Sequence, residues 1–207
     1  MSRRIMLFFS LIVFSLSTAI AEEYMEGVQY KLLSSPQPTE TGEKVEVREI
    51  FWYGCPHCFR FEDYVERWLR RKPANAEFVR MPGILRPSWE NHARAYYVAE
   101  LLNVFDKVHR PLFNALHLEK RQINSEDALA EFFAKHGVDE DKFKKTFRSF
   151  AVETRIRRSK DLGARFQISG VPAVIVNGKY FVSNQTTGSS AETLKVINYL
   201  VNLESKK

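Results

Sequence analysis

The 207-residue chain is poor in cysteine: it has only two, Cys55 and Cys58, and both lie in a single Cys55-Pro56-His57-Cys58 stretch. That scarcity excludes a disulfide-stapled scaffold, and zinc bound by two cysteine pairs is excluded because no second pair exists. The other histidines do not make up the deficit. His92, His109, His117 and His136 show no H-x3-H or H-x-x-E-H spacing, so no metal is expected, and no cofactor either. Beyond the N-terminus there is no apolar run long enough to cross a membrane, no internal repeat and no low-complexity stretch. Charge of one sign is also modest. The formal +6 falls to +4 without Arg3 and Arg4, and the densest basic run, Arg155 to Lys160, is spaced like the solvated face of a helix. Nucleic acid is therefore not an expected partner.

The one long uncharged run lies at the start. Met1-Ser2-Arg3-Arg4 is basic, Ile5 to Ala21 carries no charge, and Ala19-Ile20-Ala21 is a small-x-small pattern ahead of Glu22. This is the layout of a secretory signal peptide spanning residues 1–21. The run contains Ser10, Ser15, Ser17 and Thr18 and falls short of the roughly 20 apolar residues of a spanning helix, so cleavage before Glu22 and a soluble exported product are expected. Disulfides persist outside the reducing cytosol, which is where a paired thiol can oxidise other chains.

The Cys-Pro-His-Cys stretch follows the apolar run Ile50-Phe51-Trp52-Tyr53. If a strand ends near Gly54 and a helix starts at Cys55, the two sulfurs lie one turn apart on the same helical face, within bonding reach. A disulfide closing so small a loop would constrain the unfolded chain little, so a structural staple is the weaker reading. Cys55 at a helix N-terminus meets unpaired N–H groups and the positive end of the helix dipole, which favour a thiolate; it is the expected nucleophile. Cys58 is expected deeper, as the resolving thiol. Pro56 suits the first helical turn, and His57 is expected to place a donor and a positive charge beside the Cys55 sulfur. A stabilised thiolate leaves easily, so the disulfide form should oxidise other thiols.

Hydrophobic residues make up 44% of the chain, enough for a real core. Val45 to Trp52 reads as a strand, Cys55 to about Arg71 as a helix, and Glu77 to Met81 as a strand stopped by Pro82-Gly83: a βαβ unit. Ser88 to about Phe166 reads as helical, with Ser125 an N-cap, Gly137 a stop, and helices over Glu140–Phe150 and Val152–Phe166. The aromatics of this stretch, Trp89, Tyr96, Tyr97, Phe105, Phe132, Phe133, Phe143 and Phe147, fall at core spacing. Ala173 to Val182 reads as two strands joined by Asn177-Gly178, a strong hairpin signal. Ser189-Ser190-Ala191-Glu192 is a capping box opening a helix through Leu203. The expected architecture is α/β, a thioredoxin-like fold interrupted by an inserted all-helical domain. Residues 22–87 and 162–207 would form the thioredoxin-like domain and 88–161 the helical insertion.

Phe51-Trp52-Tyr53-Gly54-Cys55-Pro56-His57-Cys58, together with Gly170-Val171-Pro172-Ala173 running into Val176-Asn177-Gly178-Lys179-Tyr180, resembles the DsbA family of bacterial periplasmic thiol:disulfide oxidoreductases. The resemblance implies a cis proline at Pro172 facing the redox pair, with the backbone of Val171 presented to an unfolded substrate. It also implies a periplasmic, monomeric protein, reduced exported proteins as clients, reoxidation by a membrane quinone reductase of the DsbB type, and an acid at position 49. Independently, period-two reading of the first long strand places Glu49 in one row with Val45, Val47 and Phe51. A buried carboxyl there would have a raised pKa and could exchange a proton with Cys58; the alternative is a glutamate reaching solvent or pairing with Arg48. The expected function is donation of the Cys55–Cys58 disulfide to newly exported proteins. The rivals are a reductase or isomerase on the same fold, and a non-redox peptide-binding or metal-carrying protein.

Overall fold

A computed structural model describes residues 23–205, so the signal peptide expected over residues 1–21 lies outside the described residues. A short β1 (Lys31–Leu32) precedes β2 (Val45–Phe51), and α1 (Pro56–Leu69) leads to β3 (Ala76–Pro82). A 3-10 turn at Pro87–Trp89 opens a run of helices, α2 (Glu90–Leu101), α3 (Phe105–His117), α4 (Glu126–Ala134), α5 (Glu140–Phe147) and α6 (Phe150–Arg165). The chain then returns to the sheet with β4 (Ala173–Val176) and β5 (Tyr180–Ser183) and closes with α7 (Asn184–Thr187) and α8 (Ser190–Glu204). The sheet order is β1-β5-β4-β2-β3, with β2 and β3 parallel and the other pairs antiparallel. This is the expected fold class: a thioredoxin-like sheet split by helices between β3 and β4.

β2 is an interior strand, between β4 and β3, and is buried at every position, as a strand covered on both faces must be. On one face α1 and α8 pack Phe61, Val65, Trp68, Val196 and Leu200 against Val45, Val47 and Val174. The α1 residues are spaced as one helical stripe, and each fully buried large side chain contributes roughly 1.5–3 kcal/mol. On the other face Ile50, Met81 and Ile175 meet Phe166 and Ile168. The helical run has its own core around Phe113, Leu129, Phe133, Phe143 and Ile156, and this core is continuous with Phe51, Tyr53 and both cysteines. The Cys-Pro-His-Cys stretch therefore sits where the helical core meets the end of β2.

Local signals fix most element ends. Ser125 caps α4 by accepting the Ala128 N–H, and Ser149 caps α6 in the same way. That cap at Ser149 is why α5 stops at Phe147 and α6 begins at Phe150, a few residues from the expected limits. The Asn177-Gly178 turn has both residues at positive φ (49° and 63°) and joins β4 to β5 as expected. At α8, Ser189 caps the Glu192 N–H, while the Glu192 carboxylate takes the Tyr24 hydroxyl at 2.8 Å and so ties the N-terminal segment to the last helix. No helix among the described residues is long and apolar enough to cross a membrane.

Candidate active site

Cys55 is the N-cap of α1, with extended backbone (φ −89°, ψ 116°), and Pro56 occupies the first helical turn, where an N–H would have no partner. The Cys58 N–H points at Cys55 Sγ from 3.4 Å. Cys55 is held down to about 6, first by the hydrogen bond from the Cys58 side chain, then by the backbone N–H groups of Cys58 and His57 and by the charge of His57, against the opposing effect of burial. Cys58 has no exposed surface and is driven the other way. Burial, reinforced by the hydrogen bond and charge of Cys55, pushes its thiol well above the ordinary range. One sulfur is thus easily ionised and the other keeps its proton.

The imidazole of His57 is not where sequence reading placed it. It is exposed, and its Nδ1 stands 3.0 Å from Arg60 Nη2. The donor expected on the sulfur comes from the His57 backbone, and the ring contributes only through space.

Val171 and Pro172 lie across from the cysteines, and their peptide bond is cis, as expected. The Val171 carbonyl oxygen is 3.5 Å from Cys55 Sγ. A cavity of about 440 Å³ opens beside this loop, between His57, Gly170 to Pro172 and the turn before α8. A larger cavity of about 740 Å³ is lined by ion-paired side chains such as Arg48, Arg155 and Glu100 and includes neither cysteine, so size does not mark the site. Trp52 folds its ring over Gly54, where any Cβ would collide with it. The same ring stacks on Trp89 at 4.2 Å with an interplanar angle of 5°. Trp89 is half-buried and packs on Trp52, outside the core of the helical run, which corrects the expectation from its spacing.

Glu49 is fully buried, and burial, aided by the charge of Glu62, raises its carboxyl to about 8 against the pull of Arg80. Its partner is not Arg48, which pairs with Glu46 and Glu40, but Arg80 on β3, whose Nε is 3.2 Å from Glu49 Oε2. The Nη2 of the same guanidinium reaches Glu62 Oε2 at 3.1 Å. Two carboxyls thus share one cation, and among the described residues the second oxygen of each carries no hydrogen bond. The charge of Glu49 acts on Cys58 and would oppose its ionisation.

The sequence matches the DSBA-like thioredoxin domain family over residues 46–195. The chain belongs to this family. It is 39% identical over 186 residues to the thiol:disulfide interchange protein DsbA of Pseudomonas aeruginosa, spanning 90% of this chain and 88% of that one. It is 38% identical over 176 residues to the DsbA of Burkholderia cepacia, with 84% and 83% covered. Among solved structures, Pseudomonas aeruginosa DsbA superposes with a TM-score of 0.84 at 38% identity, covering 89% of this chain and 97% of that one. The Xylella fastidiosa oxidoreductase DsbA follows at 0.81 and 32% identity, with 86% and 96% covered. This DsbA-like protein is a thiol:disulfide oxidoreductase. Sequence reasoning located its cysteines, its proline loop and its buried acid, but it missed Glu62, Arg80 and His109. A period-two reading of β3, which sets Arg80 in one row with Ala76 and Phe78, could have flagged Arg80, and the position of Glu62 one turn after Cys58 on α1 could have flagged Glu62; nothing in the spacing of α3 marks His109.

Proposed function

We propose that this protein is an exported periplasmic oxidase that donates its Cys55–Cys58 disulfide to reduced, newly translocated proteins. The reading rests on one observation above all, the opposite displacement of the two thiols, Cys55 to about 6 and Cys58 well above its ordinary value. A client thiolate attacks Cys55 Sγ, the Cys55–Cys58 bond breaks, and a mixed disulfide forms. Cys58 departs as a thiolate that its surroundings disfavour, and it takes a proton from the neutral carboxyl of Glu49. A second client thiolate then attacks the client sulfur, and Cys55 leaves as the stabilised thiolate. The client loses two electrons and the enzyme gains them. Reoxidation is assigned to a membrane quinone reductase of the DsbB type.

The Val171 carbonyl beside Cys55 is the group proposed to pair with the backbone of an extended client, a sequence-independent grip suited to many substrates. The protein is proposed to act as a monomer. The division at residues 88–161 is likewise proposed as a domain boundary. Val152 and Ile156 of α6 pack in the helical core, whereas Leu162 and the following Phe166 pack against the sheet, which supports a change of allegiance within that helix.

Equilibration with glutathione tests the direction of the chemistry. The disulfide should be reduced by millimolar reduced glutathione, and a pair that stays oxidised there rules out the oxidase reading in favour of a reductase. Cys55→Ser should abolish oxidation of a reduced unfolded protein; unchanged activity of that variant in a reduced-protein refolding assay would point to a non-redox binding role.

A further inference from the structure

His109, on α3 of the helical run, touches the buried charges under the redox pair and has no part in the chemistry above. The residue is 5% exposed, and its imidazole is boxed by rings. Phe105 stacks on it at 4.3 Å, and Phe51, Tyr53 and Phe113 present edges at 5.3–5.5 Å. Its Nε2 lies 3.3 Å from Glu62 Oε2, and its Nδ1 lies 2.8 Å from the hydroxyl of Tyr53, two residues before Cys55. The partners settle the tautomer. Burial raises the phenol of Tyr53 well above its ordinary range, so it keeps its proton and can donate to Nδ1; the hydrogen then sits on Nε2, facing the carboxylate. The Nε2 contact is too poorly aligned for a full hydrogen bond and acts chiefly as a dipole aimed at Glu62.

We propose that His109 is a positioning residue for the redox reaction: it fixes the negative charge of the buried carboxyl pair on Glu62, and so leaves the proton on Glu49, from which Cys58 is supplied. The inference rests on the reading of Glu49 as the proton source for Cys58. Two carboxyls sharing one guanidinium cannot both ionise cheaply, so the one with extra positive contacts takes the charge and the other keeps a proton. The extra contact belongs to Glu62: His109 Nε2 faces its Oε2, while Arg110, paired with Asp63 and Glu66, adds only a more distant positive charge. Burial pushes its carboxyl up, but His109, Arg80 and Arg110 outweigh that and bring it below the ordinary value, while among the described residues Arg80 alone pulls Glu49 down.

The groups acting on this pair come from every neighbouring element. Tyr53 lies on the loop, Cys58 and Glu66 on α1, Arg80 on β3, Tyr96 and Glu100 on α2, and Arg110 beside His109 on α3. Tyr96 donates to Glu100 at 2.7 Å, which occupies that acid away from the pair. His109 itself is kept uncharged by burial despite Glu62, so it contributes a fixed dipole across the working pH range and does not titrate against the carboxyls.

The test is carboxyl-selective carbon NMR of Glu49 and Glu62 through a pH titration of the full mature protein, with nitrogen NMR of the imidazole. In the unsubstituted protein at pH 7, Glu62 should be ionised, Glu49 protonated and His109 neutral with hydrogen on Nε2. Finding the proton on Glu62, or an imidazolium at 109, overturns the proposal with no substitution made. His109→Phe keeps a ring in the box and should lower the Glu49 midpoint by about one pH unit, a tenfold change in its ionisation constant. His109→Gln retains an N–H donor and should restore most of it. A purely structural role for His109 would leave both carboxyl midpoints in place. Cys55 thiolate absorbance should titrate identically in all three proteins. If oxidase activity is absent from the unsubstituted protein, the functional reading fails; if oxidation persists while His109→Phe leaves Glu49 unmoved, only this inference fails.

Discussion

In the proposed mechanism buried Glu49 is a proton donor, and its burial comes at a cost to the fold. A carboxyl raised to about 8 in the folded protein holds its proton while the unfolded chain has already released it. Folding is then penalised increasingly as pH rises from about 4.5 to 8, and the penalty is constant above that. Below both values it disappears. Glu49→Gln mimics the neutral acid and removes the penalty, so it should stabilise the protein by on the order of 3 kcal/mol at pH 7 and leave it unchanged near pH 4. The same substitution removes the proton supply to Cys58 and should slow disulfide transfer. Urea unfolding at the two pH values, alongside stopped-flow oxidation of a reduced peptide, reads both. Equal stability of the two proteins at pH 7 would show that Glu49 is not held neutral. His109 belongs to this scale too, because its effect reaches the sulfur only through Glu62 and Glu49.

The elements around the site were legible to different degrees, for physical reasons. β2, α1 and the β4–β5 hairpin carry strong local signals, the apolar run, Pro56 after Cys55 and Asn177-Gly178, and they appear where those signals put them. β1 and α7 are two and four residues long and have no periodicity to read; pairing with β5 and the turn into α8 create them. The His57 ring and the Arg80 pairing are matters of side-chain packing between elements, which spacing along one strand or helix cannot report. The hairpin also permits an element-level prediction. Gly178 has φ +63°, the Gln37 N–H donates to its carbonyl at 2.8 Å, and a Cβ there would collide with the Gln37 backbone. Gly178→Ala should therefore cost about 2 kcal/mol from backbone strain and displacement of the Gln37 segment. Because β4 and β5 anchor the Val171–Pro172 loop, thermal unfolding should show the loss even though the cysteines are untouched. An unchanged melting temperature would mean that the segment around Gln37 shifts freely.

At the scale of the whole molecule, oxidising strength and folding stability are one quantity seen from two sides. A disulfide is a strong oxidant when its reduced form is the more stable fold, because the unfolded chain provides a common reference for both redox states. Cys55 carries the pH dependence of that difference. Its folded pKa, about 6, lies below that of an ordinary thiol, so the stabilisation is absent at low pH, begins as pH rises through 6, and is complete once the unfolded thiol also ionises, near 8.5. Cys58 does not contribute within that window. Raised well above its ordinary value, it stays protonated in both states until its unfolded form begins to ionise near 8.5, where it starts to oppose the gain. The oxidised protein has neither thiol, so all its other titrating groups, Glu49 included, cancel in the comparison to the extent that the disulfide leaves their surroundings unchanged. The stability of the reduced protein minus that of the oxidised protein should accordingly rise between pH 6 and 8.5, by about 2 kcal/mol after allowance for solvent screening at a sulfur close to the surface. Denaturant unfolding of both redox forms at half-unit intervals measures it. A difference that stays flat across that interval would mean that Cys55 ionises like a free thiol, and the driving force for giving away the disulfide would have to come from somewhere other than its thiolate.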